Sequence, residues 1–223
     1  MKFKFLKSLA LGWFFLITVL GSSANATLIN IDFGVNTLSP SSNGAASGQT
    51  GIWNMVNNLG LTSSLLDING VATPVDLNLT AGRIQGNSGD HTITPLLSDN
   101  FFSYGGRSWS FTLTGLSTGL YDIYYYAPLH SSVSTGSFTI DGTSLSSLSG
   151  GIGNLVQGIS WDVLGGYSVN GSLTFRSIST TSYRGISGLQ LVQKTQDVPE
   201  PSTIAIFALG MIGLASRRFK KQS

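Results

Sequence analysis

The sequence of 223 residues contains no cysteine, which excludes disulfide bonds, thiolate nucleophiles and cysteine-ligated metal sites. Charged residues are also scarce, at 10% of the chain against about a quarter in a typical soluble domain. Glycine is frequent instead, with 28 residues. Because long solvated helices need many charged side chains and few glycines, this composition favours a β-rich, turn-rich domain.

The formal net charge of +2 hides an uneven distribution. Between residues 27 and 198 there are nine aspartates, no glutamate and five basic residues, so this part of the chain is mildly acidic, at −4. The other basic residues lie near the two ends. Because no basic patch interleaved with aromatic residues is visible in the body, the sequence argues against a nucleic-acid partner.

The N-terminus combines a basic start, MKFKFLK, with an apolar stretch from Leu9 to Leu20 and a small-residue site at Ala24-Asn25-Ala26. This order is typical of a secretory signal peptide over residues 1–26, cleaved by signal peptidase after Ala26. The alternative is an uncleaved anchor. Twelve apolar residues form a helix of only ~18 Å, which is short of the ~30 Å hydrocarbon layer, so cleavage is the better prediction.

Residues 27–194 show short apolar and polar alternations between Gly, Ser and Asn clusters, with no long helical periodicity. The pattern predicts an all-β domain, an antiparallel two-sheet β-sandwich, because parallel strands would need long crossovers. A short helix is expected at 52–60. A hairpin is expected between 109–115 and 120–127. Its predicted inward faces are Trp109, Phe111 and Leu113 on the first strand and Tyr121, Ile123 and Tyr125 on the second. The other predicted strands are 28–33, 75–81, 136–142, 158–164, 171–177 and 186–192.

The segments INIDFG, WSFTLTGLSTGLYDIYYY and YRGISGLQLV give the body a texture that resembles the galactose-binding-like jelly rolls of malectin-type and carbohydrate-binding modules. That resemblance implies a β-sandwich that binds glycans through loops or through one sheet face. Strand alternation places Asp122, Tyr124 and Tyr126 on one face, and carbohydrate sites combine aromatic rings with carboxylates. These three residues are therefore the candidate glycan contacts, and a purely structural role for the tyrosines is the alternative.

Catalytic patterns are weak in this sequence. GLSTG matches a nucleophile elbow at Ser117, but that motif needs a helix after it and here a strand is expected. The aspartates show no spacing that selects a catalytic pair, and His91 has no second histidine at metal-ligand spacing. We therefore expect no enzyme activity, no cofactor and no metal.

The texture changes after Lys194 to a polar linker, then Val198-Pro199-Glu200-Pro201, then an apolar run, then a basic end at Arg217, Arg218, Lys220 and Lys221. This order resembles the sorting tail of the PEP-CTERM family. The resemblance implies that residues 195–223 are a sorting tail handled by an exosortase, a membrane-embedded transpeptidase. It implies export, with a transmembrane helix anchoring the tail in the inner membrane during transit, and release to the cell surface or beyond.

The stiffness of the motif agrees with recognition by an enzyme. Each proline fixes its own φ and biases the residue before it toward an extended form, so Val198 and Glu200 are pre-ordered. The fifteen residues from 202 to 216 would span only ~22 Å as a helix, which suits a temporary anchor. A permanent tail anchor or a packed C-terminal helix is the alternative. The sequence thus predicts an exported surface or matrix protein with a non-catalytic, carbohydrate-binding body. A secreted hydrolase acting on extracellular polysaccharide is the alternative.

Overall fold

The structure is a computed structural model that describes residues 28–35, 44, 51–86, 95–127, 138–150, 155–177 and 183–195. Residues Ala26–Lys194 form one compact unit. The expected signal peptide, the sorting motif and the transmembrane helix lie outside the described residues, so the predicted domain boundaries stay predictions. Within the described ranges, no helix has the length and apolar character needed to cross a membrane.

The described part of the chain is almost entirely β-structure, as the composition predicts. One four-residue helix, α1 (Pro95–Ser98), interrupts the strands. The strands are β1 (Leu28–Phe33), β2 (Trp53–Val56), β3 (Gly60–Thr62), β4 (Asp76–Ala81), β5 (Arg83–Gly86), β6 (Asp99–Ser103), β7 (Ser110–Thr114), β8 (Gly119–Tyr126), β9 (Phe138–Ile140), β10 (Thr143–Leu145), β11 (Trp161–Val169), β12 (Ser172–Ser177), β13 (Arg184–Ile186) and β14 (Gly188–Gln193).

Two larger sheets and one small sheet contain these strands. The five-stranded sheet has the order β11, β8, β14, β1, β2, and the six-stranded sheet has the order β10, β9, β12, β7, β4, β3. All pairs in these sheets are antiparallel except β1 with β2. The three-stranded sheet, β13, β6, β5, is an addition that the sequence did not predict.

The core lies between the inner faces of the two larger sheets. Ile31 and Phe33 of β1 and Ile123 of β8 are buried on one side, and Phe111 and Phe175 are buried on the other. Phe33 contacts Phe111 across the core with ring centroids 5.1 Å apart, and Phe111 stacks on Phe175 at 4.6 Å. Contacts of this kind between facing sheets are those of a β-sandwich, which agrees with the predicted fold class.

The helix expected at 52–60 is wrong, because this segment forms β2 and β3. Trp53 to Val56 pair in parallel with Asn30 to Phe33 of β1, and of these four residues only Val56 is fully buried. Asn54 holds the strand in place, since its side chain donates to Asn30 O at 3.0 Å and accepts from Leu66 N at 2.8 Å. These long-range bonds override a weak helical spacing of apolar residues.

The hairpin expected between β7 and β8 is also wrong, although the buried faces of both strands were predicted correctly. The strand β7 pairs with β4 and β12, while β8 pairs with β11 and β14. The connection crosses from one sheet to the other, with Gly115 at φ 77°. Its missing side chain is required, because a Cβ there would lie 2.0 Å from Pro74 O. The two apolar faces therefore meet across the core.

Candidate functional site

The outer face of the five-stranded sheet carries the three candidate glycan contacts of β8. Strand pairing aligns their neighbours in two rows across the sheet. The first row is Trp161, Tyr126, Gly188, Asp32 and Met55, and the second is Val163, Tyr124, Gln190, Asn30 and Trp53. We call these ten residues, together with Asp122, the outer face.

A chain of buried hydrogen bonds runs across the centre of the outer face. The Tyr126 hydroxyl donates to Gln190 Oε1, Gln190 Nε2 donates to Asn30 Oδ1 at 3.0 Å, and Asn30 Nδ2 donates to Ile52 O at 3.3 Å. Tyr126, Gln190 and Asn30 are at most 1% exposed. A buried amide or hydroxyl is costly unless it is bonded, so this chain fixes the three side chains in one arrangement.

Residues from other parts of the chain cover this region. Leu96 and Leu97 of α1 form a buried cluster with Tyr126. Gly188 lies directly beneath Leu96, since a Cβ on Gly188 would be 2.7 Å from Leu96 Cδ1. Gly44 packs on Gln190, since a Cβ on Gly44 would be 2.1 Å from Gln190 Oε1. The centre of the outer face is therefore a second, smaller core and not an open groove. Tyr126 presents no surface to a glycan.

Two aspartates meet beneath this cover. Burial and, to a lesser extent, the negative charge of Asp99 raise the pKa of Asp32 from 3.8 to about 8. Among the described residues Asp32 Oδ1 has no hydrogen-bond partner, whereas Asp99 Oδ2 accepts from Val35 N at 2.8 Å. Asp32 therefore carries a proton at neutral pH. Such a carboxyl has the chemistry of a general acid, but both aspartates are only 1% exposed.

The part of the outer face formed by Asp122, Tyr124 and Trp161 is more exposed than its centre, and we call it the accessible edge. Tyr124 and Trp161 pack against the covered cluster but are only partly buried, and their rings lie 5.9 Å apart at an interplanar angle of 33°. Asp122 accepts from Gly166 N at 2.8 Å and forms an ion pair with Lys194 at 3.1 Å. Two aromatic rings beside a partly exposed carboxylate are the groups that a sugar ring contacts.

The structure thus separates the three predicted contacts. Tyr126 is fully buried in the covered centre, Tyr124 packs against that centre with part of its surface exposed, and Asp122 is partly exposed. No sequence pattern singled out Trp161, Gln190 or the pair of Asp32 and Asp99 as part of this face. The polar positions in LINIDF alternate with apolar ones, which signals one polar face but not that a cover will bury it.

Other site types have little support in the described ranges. No group of three or more His, Asp or Glu residues there is placed to hold a metal ion. Ser117, in the elbow-like segment, is exposed, and its carbonyl accepts from the Tyr121 hydroxyl at 3.0 Å. Both histidines lie outside the described residues.

A family model of the PEP-CTERM protein-sorting motif matches residues 197–221. The chain carries a PEP-CTERM sorting tail. This match confirms the predicted resemblance of the tail to the PEP-CTERM family. The matched residues include the Val198–Pro201 segment and the basic end. The PEP-CTERM motif marks an exported protein of the cell envelope or surface, with an exosortase as its processing partner.

No curated protein matches this sequence. Among solved structures, the chain is similar to one titled "Peptidoglycan O-acetylesterase in action, 5 min", with 17% identity and a TM-score of 0.33. The match covers 61% of this chain and 35% of that one, so the chain spans about a third of that structure.

Proposed function

We propose that this PEP-CTERM protein is a surface or extracellular-matrix protein whose non-catalytic β-sandwich binds carbohydrate. The sorting motif at 197–221 supports its export. The accessible pair of Tyr124 and Trp161, beside Asp122, supports carbohydrate binding, because aromatic rings stack on the apolar faces of sugars while a carboxylate bonds their hydroxyls.

The tail in this proposal acts before the body does. Signal peptidase removes residues 1–26, and the apolar run then holds the chain in the inner membrane with its basic end in the cytoplasm. An exosortase reads the stiff Val198–Pro201 segment and releases the body. Replacing Pro199, Glu200 and Pro201 with alanine is expected to leave the protein unprocessed in the membrane fraction. Unchanged processing and surface display would contradict this role.

Carbohydrate binding is tested with the processed protein and the extracellular polysaccharide of the cells that export it. We expect retention of the protein in a pull-down, with Tyr124→Ala and Trp161→Ala each weakening retention about tenfold. Leu120→Ala, on the same strand and exposed, is the matched control. Equal retention of all variants would exclude Tyr124 and Trp161 as carbohydrate contacts.

The secreted-hydrolase alternative depends on a different observation, the raised pKa of Asp32 beside Asp99. It requires the cover formed by α1 to move, because neither carboxyl is exposed. Turnover of the polysaccharide by the wild-type protein, lost in Asp32→Asn but kept in Asp141→Asn, at an exposed aspartate of the other large sheet, would establish the hydrolase and overturn the non-catalytic proposal.

A further inference from the structure

The three-stranded sheet presents a face that the two larger sheets do not cover. In the register of this sheet, Phe102 of β6 pairs with Arg83 of β5 on one side and with Gly185 of β13 on the other. Phe101, the next residue along β6, points to the opposite side and is buried in the sandwich core. Arg83 and Phe102 therefore share the face that points away from the core.

Three aromatic rings cluster on this face. The rings of Phe102, Tyr104 and Tyr183 have centroids 5.5 to 6.2 Å apart and interplanar angles of 23 to 26°. Tyr183 is 45% exposed. A Cβ on Gly185 would lie 3.0 Å from Phe102 Cβ, so the glycine permits the close approach of β13 to β6. The three rings are nearly parallel, but Phe102 is only 5% exposed, so the exposed ring surface belongs to Tyr183 and, in part, to Tyr104.

Arg83 adds a positive charge to the aromatic group. Its Cζ atom lies 4.8 Å from the centroid of the Tyr104 ring, within the range of a cation–π interaction, and the side chain is exposed. This contact holds the guanidinium at one position while its N–H groups remain available to an acceptor. We call Arg83, Phe102, Tyr104 and Tyr183 the tyrosine–arginine surface.

The charge around this surface differs from that of the body as a whole. Arg107 is exposed three residues after Tyr104, at the end of the turn that follows β6. The aspartate of this sheet, Asp99, lies at the other end of β6, on the other side and buried against Gly34. In a body with more aspartates than basic residues, Arg83 and Arg107 make the described part of this surface locally positive.

We propose that the tyrosine–arginine surface is a second binding site and that its ligand is a carboxylated polysaccharide. Exposed aromatic rings stack on sugar rings, and a guanidinium beside them donates two parallel hydrogen bonds to a carboxylate. Nucleic acid is disfavoured, because its binding needs many cations along a phosphate backbone. This inference rests on the proposed function in one respect, that the exported protein binds extracellular carbohydrate.

The test measures binding of the processed protein to polygalacturonate, with neutral dextran and single-stranded DNA as comparison polymers. We expect polygalacturonate to bind with an affinity that falls at high salt. Arg83→Gln and Tyr183→Ala should each weaken binding about tenfold. Arg176→Gln, an exposed arginine on the six-stranded sheet, is the matched control and should bind like the wild type. Circular dichroism confirms that each variant is folded.

The outcomes separate this site from the edge of the outer face. Loss of polygalacturonate binding in Arg83→Gln and Tyr183→Ala, but not in Tyr124→Ala, supports the second site. Binding that depends on Tyr124 alone overturns it and leaves the proposed function standing. Absence of polygalacturonate binding, or tighter binding to DNA, also overturns it. If the extracellular polysaccharide of the exporting cells is not retained either, the proposed function fails as well.

Discussion

The outer face of the five-stranded sheet and the tyrosine–arginine surface both bring aromatic rings together, but they differ in what surrounds the rings. On the outer face, the Tyr126 hydroxyl bonds the amide of Gln190, α1 packs on Tyr126, and both side chains are fully buried. On the tyrosine–arginine surface, Tyr183 and Arg83 remain exposed to solvent. Aromatic composition alone therefore does not identify a binding surface. In a core the polar groups beside the rings are buried and hydrogen-bonded within the protein, whereas in a binding site they remain exposed to solvent.

The largest expected difference between the two regions is in pH dependence. Below about pH 3.8 Asp32 is protonated in both the folded and the unfolded chain. Between that value and about 8 only the folded chain holds the proton, so unfolding releases it and the free energy of unfolding falls as the pH rises. At about 1.36 kcal/mol for each pH unit, this carboxyl accounts for a loss of about 6 kcal/mol at most.

Urea denaturation at a series of pH values checks this expectation. Asp32→Asn should remove most of the decline between pH 4 and 8, whereas Asp122→Asn, at a partly exposed aspartate, should keep it. An Asp32→Asn variant with the wild-type slope would show that the carboxyl is ionised in the folded chain.

Truncation of one tyrosine in each region should give the next largest contrast. Tyr126→Ala leaves a cavity beside Leu96 and removes the donor to Gln190, so it should lower the free energy of unfolding by about 3–5 kcal/mol. Tyr183→Ala, on the exposed surface, should change it by at most about 1 kcal/mol. Chemical denaturation of the two variants measures both values. Similar losses would mean that the tyrosine–arginine surface is itself part of the core.

The sequence predicted the regular parts of the fold better than either site. LINIDF and the alternating segments of β4, β7, β8 and β12 have strong period-two patterns, and all form strands. The wrong helix at 52–60 and the wrong hairpin have one cause. Both depend on long-range pairing, of Trp53 with Asn30 and of Ser110 with Arg176, which local patterns do not contain.

The sites were harder to predict for the same reason. Alternation placed Asp122, Tyr124 and Tyr126 on one face correctly, but the cover over Tyr126 comes from α1, which no periodic pattern announces. The tyrosine–arginine surface was not expected, because Arg83, Tyr104 and Tyr183 are separated by 21 and 79 positions in the sequence. Only the pairing of β5 and β13 with β6 brings them together.

Removal of the hydroxyl group alone, from Tyr126 or from Tyr183, should give a smaller difference in the free energy of unfolding between the two regions. Tyr126→Phe leaves Gln190 Oε1 without its buried donor, which should cost about 1–3 kcal/mol. Tyr183→Phe keeps the ring and should change stability by no more than about 0.5 kcal/mol. Thermal and urea unfolding of both variants give the values. A neutral Tyr126→Phe would indicate that Gln190 finds another donor and that the hydrogen-bond chain is not what fixes the covered centre.

The smallest effect is expected at the accessible edge of the outer face, where Lys194 meets Asp122. The two side chains are 47% and 25% exposed, so water and salt screen their attraction, and Lys194→Gln should lower the free energy of unfolding by about 0–1 kcal/mol. High salt should erase even this difference. Because the Asp122 carboxylate also accepts from Gly166 N, Asp122→Ala should cost more than Lys194→Gln. A double-mutant cycle measures the ion pair itself. A coupling energy well above 1 kcal/mol would mean that this edge is as closed as the centre of the outer face, and that it offers no surface to a sugar.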